Sequence, residues 1–248
     1  MLLSIIIPCY NEQQRLRSEA FAAFANLHEE VCILFVNDGS SDSTLPLLHR
    51  LAAQCPNVEV LALPRNVGKA EAVRQGVLHL LRTQPSLSAV AFYDADMAAP
   101  LADLLMMADL QASKGYFMVA ATRIRRLGGN VERRFVRFFL GRMFATAVAT
   151  ILHMPVYDTQ CGAKVIRADV AAVIFAAPFV SRWLFDIELF ARIAIAYGHR
   201  AAVLNIYEFP LSEWRDIRGS KLGWREILRQ PISLFKVYWH YKKQIQRS

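Results

Sequence analysis

The sequence predicts an α/β protein built on a doubly wound, mostly parallel sheet. Short apolar runs of strand length alternate with segments of helical periodicity through the first half of the chain. Several of these runs end in a small polar cluster, as expected where parallel strands reach the carboxyl edge of a sheet. With 248 residues, 54% of them hydrophobic, the chain is long and apolar enough for one sizeable core.

The first half contains four predicted strands. The first, over residues 3–7, is a mostly branched apolar run that suits burial on both faces. The others cover 31–36, 58–63 and 89–93, and the turn-forming residues 37–40 end the second. Helices are predicted between them, over 12–30, 43–54 and 68–81. We expect ligands at the carboxyl ends of these strands.

The second half changes in character. A strand over 117–121 precedes an apolar segment over 135–152, and a helix is predicted over 183–197. Residues 215–248 include nine lysines and arginines but only two acidic residues. We therefore expect one domain over residues 1–212 and a basic, helical C-terminal segment over 213–248. The aromatic and cationic composition of that segment suits a membrane interface.

The net charge of +8 is consistent with three classes of partner: nucleic acid, anionic lipid headgroups and phosphorylated small molecules. No recognised nucleic-acid-binding module occurs, so nucleic acid is not an expected partner. The four cysteines are scattered without a CxxC pair, which fits a reducing cytosol. Outside the N-terminal half, the longest uncharged run covers 143–157. It is shorter than the roughly 20 residues that cross a bilayer, so no transmembrane helix is expected.

Asp94 and Asp96 form a DxD motif directly after the predicted strand 89–93. On an extended backbone both side chains point to the same face. Two carboxylates so placed suit Mg²⁺ or Mn²⁺, which would bridge them to a diphosphate. An ordinary acidic loop is the alternative, and the position behind an apolar strand favours the metal site.

Two further polar sites follow predicted strands. Asp38 can accept hydrogen bonds from a nucleobase or a ribose, with Gly39 permitting the tight turn, although a role near a helix cap is compatible. Gly68 and Lys69 open a predicted helix and would form a phosphate cradle. Alone this second signal is weak, because Gly-Lys pairs are common in surface loops.

Four motifs in this order and spacing resemble family 2 inverting glycosyltransferases of the GT-A fold: 8–12, 37–40, 66–69 and 94–96. Three later segments are similar to dolichyl-phosphate β-glucosyltransferases: 158–164, 182–188 and 214–222. The resemblance covers nearly the whole chain. It implies the GT-A fold, a nucleotide-diphosphate sugar donor with a UDP-sugar favoured, and transfer of a hexose with glucose favoured. Where the family often has two acids, this chain has Asn37 and Asp38.

The resemblance also assigns roles. It implies that the base and ribose pocket is lined by Pro8, Tyr10, Glu12 and Asp38. Lys69 would approach the nucleotide, and Asp94 with Asp96 would hold Mg²⁺ or Mn²⁺. The residues expected beside the acceptor are Arg133, Arg134, Lys164, Arg182 and Trp183.

The acceptor decides which catalytic groups are needed. A phosphate monoester is already an oxyanion near pH 7, since its second pKa is about 6, so it needs cations such as Arg123 more than a base. A hydroxyl acceptor needs a general base, for which Asp186 is the first candidate. Ion pairing of Asp186 or Glu188 with Arg182 or Arg192 along one helix is an equal alternative. The expected catalytic residues are thus Asp96, Arg123 and Asp186.

The predicted function is hexosyl transfer to a polyprenyl or dolichyl phosphate, by a protein peripheral to the cytoplasmic face of a membrane. The arginines and aromatic residues of 134–152 suit a helix at an anionic membrane surface, or a core helix with a basic edge. Three alternatives stay open. They are transfer to a glycan hydroxyl in cell-surface polysaccharide synthesis, a non-catalytic nucleotide-sugar sensor, and a nucleotidyltransferase, for which the glycine-rich loop after the first strand is missing.

Overall fold

A computed structural model describes residues 2–132, 135–215 and 224–245 of the chain. Its strands in chain order are β1 (Leu3–Cys9), β2 (Val31–Asp38), β3 (Val58–Leu63), β4 (Ala89–Tyr93), β5 (Met118–Thr122), β6 (Asn130–Glu132), β7 (Ala163–Arg167), β8 (Ile206–Pro210) and β9 (Glu213–Arg215). Seven of them form one sheet in the order β3-β2-β1-β4-β7-β5-β8, and β6 pairs with β9. In the large sheet β7 runs antiparallel to both of its neighbours, while the remaining pairs are parallel.

The helices are α1 (Ser18–Leu27), α2 (Thr44–Gln54), α3 (Lys69–Thr83), α4 (Leu101–Lys114), α5 (Phe135–Leu152), α6 (Ala168–Ile174), α7 (Phe185–Tyr197), α8 (His199–Asn205) and α9 (Trp224–Ile245). Side chains from alternate strand positions enter two separate cores, one on each face of the sheet. On β1, Ile6 belongs to the core under α3 and α7, while Ile5 and Ile7 belong to the core under α1, α2 and α4. The sheet is therefore doubly wound, as the alternation of strands and helices predicts.

All five predicted strands are present, with bounds shifted by two residues or fewer. The helix predicted over 12–30 is shorter, because residues 12–16 form a turn in which the amides of Arg15 and Leu16 donate to the carbonyl of Glu12 at 2.9 and 2.8 Å. Strand β7 is absent from the predicted elements. Its short apolar run is interrupted by Lys164, and a lysine normally indicates a solvent-facing position.

The C-terminal helix α9 is apolar on two opposite faces. The inner face packs on the core through Leu234, Val237, Tyr241 and Ile245, at helical spacing. The outer face leaves Ile232, Phe235 and Trp239 more than half exposed. Within the described ranges, none of the helices combines the length and apolar character needed to cross a membrane.

Candidate active site

Asp94 and Asp96 lie where β4 reaches the carboxyl edge of the sheet. The extended backbone predicted for them is wrong, because Met97 has a positive φ of 53° and its amide donates to the carbonyl of Asp94 at 3.3 Å, closing a turn. Within this turn the amide of Ala98 donates to the Asp96 carboxylate at 3.2 Å. Burial, and then the charge of the neighbouring Asp94, raise the pKa of Asp96.

Two cations face this acidic pair. Lys69 Nζ, at the start of α3, lies 2.5 Å from Asp94 Oδ1, and Arg15 Nη2 lies 3.6 Å from Asp96 Oδ2. Burial by itself would lower the pKa of Lys69, but the carboxylates of Asp94 and Asp186 raise it above its ordinary value. Lys69 therefore stays cationic at the edge where donor phosphates are expected. Arg15 belongs to no motif in the sequence, and only its place in the folded turn brings it to the site.

The residues present fit a divalent cation. Asp94 and Asp96 are hard oxygen ligands, and their mutual charge repulsion favours a shared positive ion. Gly162 leaves the space that the Asp94 carboxylate fills, since a Cβ at that position would lie 1.8 Å from Asp94 Oδ2. No group of three or more His, Cys, Asp or Glu side chains is found within the described part of the chain that would hold a metal by itself. Mg²⁺ often takes one or two carboxylates and completes its shell with substrate phosphates and water.

Asp38, at the end of β2, organises the loop before α3. Its carboxylate accepts the amides of Val67 at 2.7 Å and Gly68 at 2.9 Å. Burial raises the pKa of Asp38, while these two amides and the charge of Arg182 oppose the rise. The loop depends on Gly68, whose φ is +95°. Asp38 thus holds the backbone that leads into Lys69.

Asn37 is a candidate site residue to which the sequence analysis gave no binding role. It is 2% exposed, and its Oδ1 accepts no hydrogen bond from the described residues. A buried acceptor without a donor carries a free-energy cost that a bound ligand can remove. The sequence signal for it was its position next to Asp38 at the end of β2, where the family often has an acid.

The other predicted nucleoside residues line the same edge. Pro8 lies on β1 beside Val36 of β2, and Tyr10 just beyond β1 is 38% exposed. Glu12 is 7% exposed, and its amide donates to Thr44 Oγ1 at 2.8 Å. The fold therefore brings Pro8, Tyr10, Glu12 and Asp38 to the carboxyl ends of β1 and β2.

The loop before α7 lies against the loop before α3. Arg182 Nη2 donates to Asn66 Oδ1 at 2.9 Å, and the carbonyl of Arg182 accepts the Ala70 amide at 3.3 Å. Trp183 beside it is 39% exposed. Two of the residues predicted for the acceptor thus meet the segment that carries Lys69.

The prediction that Lys164 contacts the acceptor needs a correction, because this side chain lies in the core rather than at an accessible site. The side chain is fully buried on β7, with Nζ 2.5 Å from Asp186 Oδ1 and 2.8 Å from the carbonyl of Cys161. Asp186 is therefore paired with Lys164, and not with Arg182 or Arg192 as the helix pattern suggested. Glu188 does approach Arg192, at 3.9 Å.

Arg123 is held by a neighbouring acid. Its Nε and Nη2 donate to the two oxygens of Asp158 at 2.7 and 2.8 Å, and its guanidinium lies 5.0 Å from the ring centre of Trp214. Glu208 in turn accepts the amides of residues 157 and 158, both at 2.8 Å. The ion pair with Asp158 therefore offsets much of the positive charge of Arg123. Arg133 and Arg134, also predicted to hold an acceptor phosphate, lie outside the described residues.

Comparison with known sequences supports these motifs. Residues 4–175 match the profile of glycosyl transferase family 2. The chain is 30% identical over 257 residues to the dolichyl-phosphate beta-glucosyltransferase ALG5D of Trichomonas vaginalis, covering 98% of this chain and 75% of that protein. It is 32% identical over 239 residues to the dolichyl-phosphate beta-glucosyltransferase of Dictyostelium discoideum, covering 89% of this chain and 68% of that one.

Among solved structures, the fold is similar to glucosyl-3-phosphoglycerate synthase from Mycobacterium tuberculosis in complex with Mn²⁺, UDP-glucose and phosphoglyceric acid. The TM-score is 0.68 at 17% identity, over 95% of this chain and 79% of that one. At this identity the likeness shows the fold: a mostly parallel α/β sheet of the GT-A kind, as the motifs implied.

Proposed function

Because the chain belongs to glycosyl transferase family 2, we propose that it moves a hexose, with glucose favoured, from a UDP-sugar to a polyprenyl or dolichyl phosphate with inversion at the sugar. One observation carries the proposal. The Arg182–Trp183 loop, within a segment similar to dolichyl-phosphate β-glucosyltransferases, contacts the loop that ends in Lys69 beside Asp94. Residues expected to handle donor and acceptor therefore share one edge of the sheet.

The residues at the donor side of the site are suited to binding a UDP-sugar and a divalent cation. The buried Oδ1 of Asn37 would accept the imide N–H of uracil, and the cationic Lys69 faces the position expected for the diphosphate. Asp94 and Asp96 would hold Mg²⁺ or Mn²⁺, which when bound supplies positive charge that stabilises the departing diphosphate. The Mn²⁺ and UDP-glucose bound by the structural relative support this assignment.

The acceptor side favours a phosphate over a hydroxyl. Asp186 is 4% exposed and engaged by Lys164, which leaves it badly placed to take a proton from an alcohol. A phosphate monoester needs no such base, because its oxyanion attacks the anomeric carbon directly. The new bond forms on the face opposite the diphosphate, the old bond to the diphosphate oxygen breaks, and the negative charge leaves with it. We accordingly assign Asp186 to positioning Lys164 rather than to proton transfer.

The outer face of α9 supports a membrane location. Ile232, Phe235 and Trp239 are 59%, 60% and 57% exposed on one side of the helix, with Lys242 and Lys243 nearby in its last turn. Exposed aromatic residues with lysines suit an anionic lipid surface. A polyprenyl phosphate presents its headgroup at that surface, so a peripheral enzyme on the cytoplasmic face could reach it.

The test is a transfer assay with purified protein, radiolabelled UDP-glucose and polyprenyl phosphate. Label should enter the organic phase only when both substrates and Mn²⁺ or Mg²⁺ are present. GDP-mannose in a parallel reaction tests the donor, and a soluble oligosaccharide tests the glycan-hydroxyl alternative. Transfer to the oligosaccharide with no lipid product would overturn the acceptor, and tight UDP-glucose binding with no product in either phase would favour a sensor.

A further inference from the structure

Glu188 is a fully buried carboxylate on α7 that no part of the proposed chemistry uses. It joins the C-terminal helix to the loop of residues 180–183, which we call the acceptor loop. We propose that Tyr241 of α9 acts through Glu188 to position the acceptor loop, and with it Arg182 and Trp183. That these two residues serve an acceptor rests on the proposed function, whereas the positioning itself does not.

On one side, Glu188 fixes the backbone of the acceptor loop. Its Oε2 accepts the amide of Val180 at 2.9 Å, and its Oε1 accepts the amide of Ser181 at 2.8 Å. Ser181 Oγ then accepts the amide of Leu184 at 3.0 Å. Hydrogen bonds to a buried charged acceptor are stronger than ordinary ones, so this carboxylate anchors residues 180 and 181 of the loop firmly.

On the other side, Glu188 receives a hydrogen bond from α9. The Tyr241 hydroxyl, on a side chain 4% exposed, donates to Glu188 Oε2 at 2.8 Å. Burial, followed by the charge of Glu188, raises the pKa of Tyr241 to about 12, so the hydroxyl remains a donor. Arg192 Nε donates to the same hydroxyl oxygen at 2.9 Å and orients it.

The acceptor loop continues to the active site through direct contacts. The carbonyl of Arg182 accepts the Ala70 amide at 3.3 Å, and Ala70 adjoins Lys69, whose Nζ contacts Asp94. A loosened acceptor loop would therefore shift Arg182 and Trp183 first. The donor pocket would be affected less, because Asp38 separately holds the amides of Val67 and Gly68.

Removing the Tyr241 hydroxyl should loosen the loop without unfolding the protein. Glu188 keeps both amide donors and the nearby Arg192 charge, and the phenyl ring keeps its packing among Leu234, Val237 and the core. The outer face of the same helix is the one proposed to meet lipid. Tyr241 therefore links the part of the chain nearest the membrane to the part nearest the acceptor.

The experiment compares Tyr241→Phe with Tyr238→Phe in the full chain. Both remove one hydroxyl from α9, and the ring of Tyr238 keeps its contact with Lys242 at 5.3 Å. Hydrogen exchange over residues 180–183 should be roughly tenfold faster in Tyr241→Phe, which removes the hydrogen bond to Glu188 together with the one that Arg192 donates to the same hydroxyl, and unchanged in Tyr238→Phe. The KM for polyprenyl phosphate should rise by a similar factor, while the KM for UDP-glucose stays constant.

A double-mutant cycle checks that the effect passes through Glu188. Combined with Glu188→Met, which removes the carboxylate that accepts the Tyr241 hydroxyl, Tyr241→Phe should add little to the exchange rate or to the acceptor KM, because the two residues act through one contact. Unchanged exchange over 180–183 in Tyr241→Phe overturns the proposal. So does a fully additive cycle, or an equal change in the two KM values. If the wild type ignores polyprenyl phosphate, the proposed function fails, and the exchange measurement still decides whether Tyr241 positions the loop.

Discussion

Gly162 and Asp94 are packed so closely that the backbone of one limits the side chain of the other. The Asp94 amide donates to the carbonyl of Gly162 at 3.0 Å, and a Cβ on Gly162 would lie 1.8 Å from Asp94 Oδ2. Gly162 stands immediately before β7, so the antiparallel strand sets the position of the first acid of the DxD motif. Lys69 Nζ contacts the other oxygen of the same carboxylate, Oδ1, at 2.5 Å.

Gly162→Ala should therefore impair catalysis by displacing Asp94. A displacement of about 1 Å at a reacting site can cost roughly 100-fold in kcat, and we expect a loss of that order together with a higher Mn²⁺ requirement. Gly129→Ala is the matched control, because the atom nearest to its Cβ would be Arg126 Cγ, at 3.3 Å, on a flexible side chain. Equal kcat and metal dependence for the two variants would show that the contact has no functional consequence.

Asp96→Ala should abolish metal-dependent turnover while the fold survives, since the residue lies at a sheet edge and is partly exposed. Circular dichroism and the melting temperature would check the fold, and titration with Mn²⁺ would check the metal. Asp109→Ala, which removes an exposed acid from α4, should retain activity. Full turnover by a folded Asp96→Ala protein, or by the wild type in excess EDTA, would refute the metal assignment.

Asp38→Ala should weaken donor binding more than it slows chemistry. The change leaves the amides of Val67 and Gly68 without their acceptor, at a cost of about 1–3 kcal/mol each, and frees the backbone before Lys69. We expect KM for UDP-glucose to rise by roughly tenfold or more, with a smaller change in kcat. Asp169→Ala, which breaks an exposed pair with Arg167, controls for general loss of a carboxylate. A collapsed kcat at constant KM would place Asp38 in the chemical step instead.

Asp186→Asn should destabilise the protein more than it slows the reaction. Removing one partner of a buried ion pair typically costs roughly 3–5 kcal/mol, because Lys164 would be left charged in the core. Assayed well below the melting temperature, kcat should stay within about tenfold, whereas loss of a general base usually costs 10²- to 10⁴-fold. Chemical denaturation would report the stability, and the double change Lys164→Met with Asp186→Leu should recover much of it. A hundredfold fall in kcat at full stability would restore Asp186 as the base.

Trp239→Ser should weaken binding to anionic vesicles by roughly tenfold, as expected from the loss of one large apolar side chain at an interface. Flotation with phosphatidylcholine vesicles, with and without phosphatidylglycerol, measures the effect. Added salt should weaken the part of the binding that depends on the lysines of the last turn. Leu204→Ser removes another exposed apolar side chain, 65% exposed on α8, and should have no effect. Equal losses for both variants would argue against α9 as the lipid-facing element.

The sequence by itself determined the doubly wound sheet, the family and the edge at which the donor residues gather. Strand and helix periodicity depends on neighbouring residues, and parallel strands bring their carboxyl ends to one edge. Asp38, Lys69 and Asp94 could therefore be placed together from their positions after strands or at the start of a helix. Tyr10 and Glu12 came instead from the family resemblance, which implies that they line the base and ribose pocket.

Only the tertiary structure decided which charges are free for chemistry. Lys164 was expected beside the acceptor, yet β7 enters the sheet between β4 and β5 and buries it against Asp186. Arg123 meets Asp158, 35 residues away, and Tyr241 meets Glu188, 53 residues away. Such contacts leave no periodic trace in the sequence, because packing between distant segments sets them. The burial of these three pairs of residues likewise depends on how distant segments pack in the complete fold.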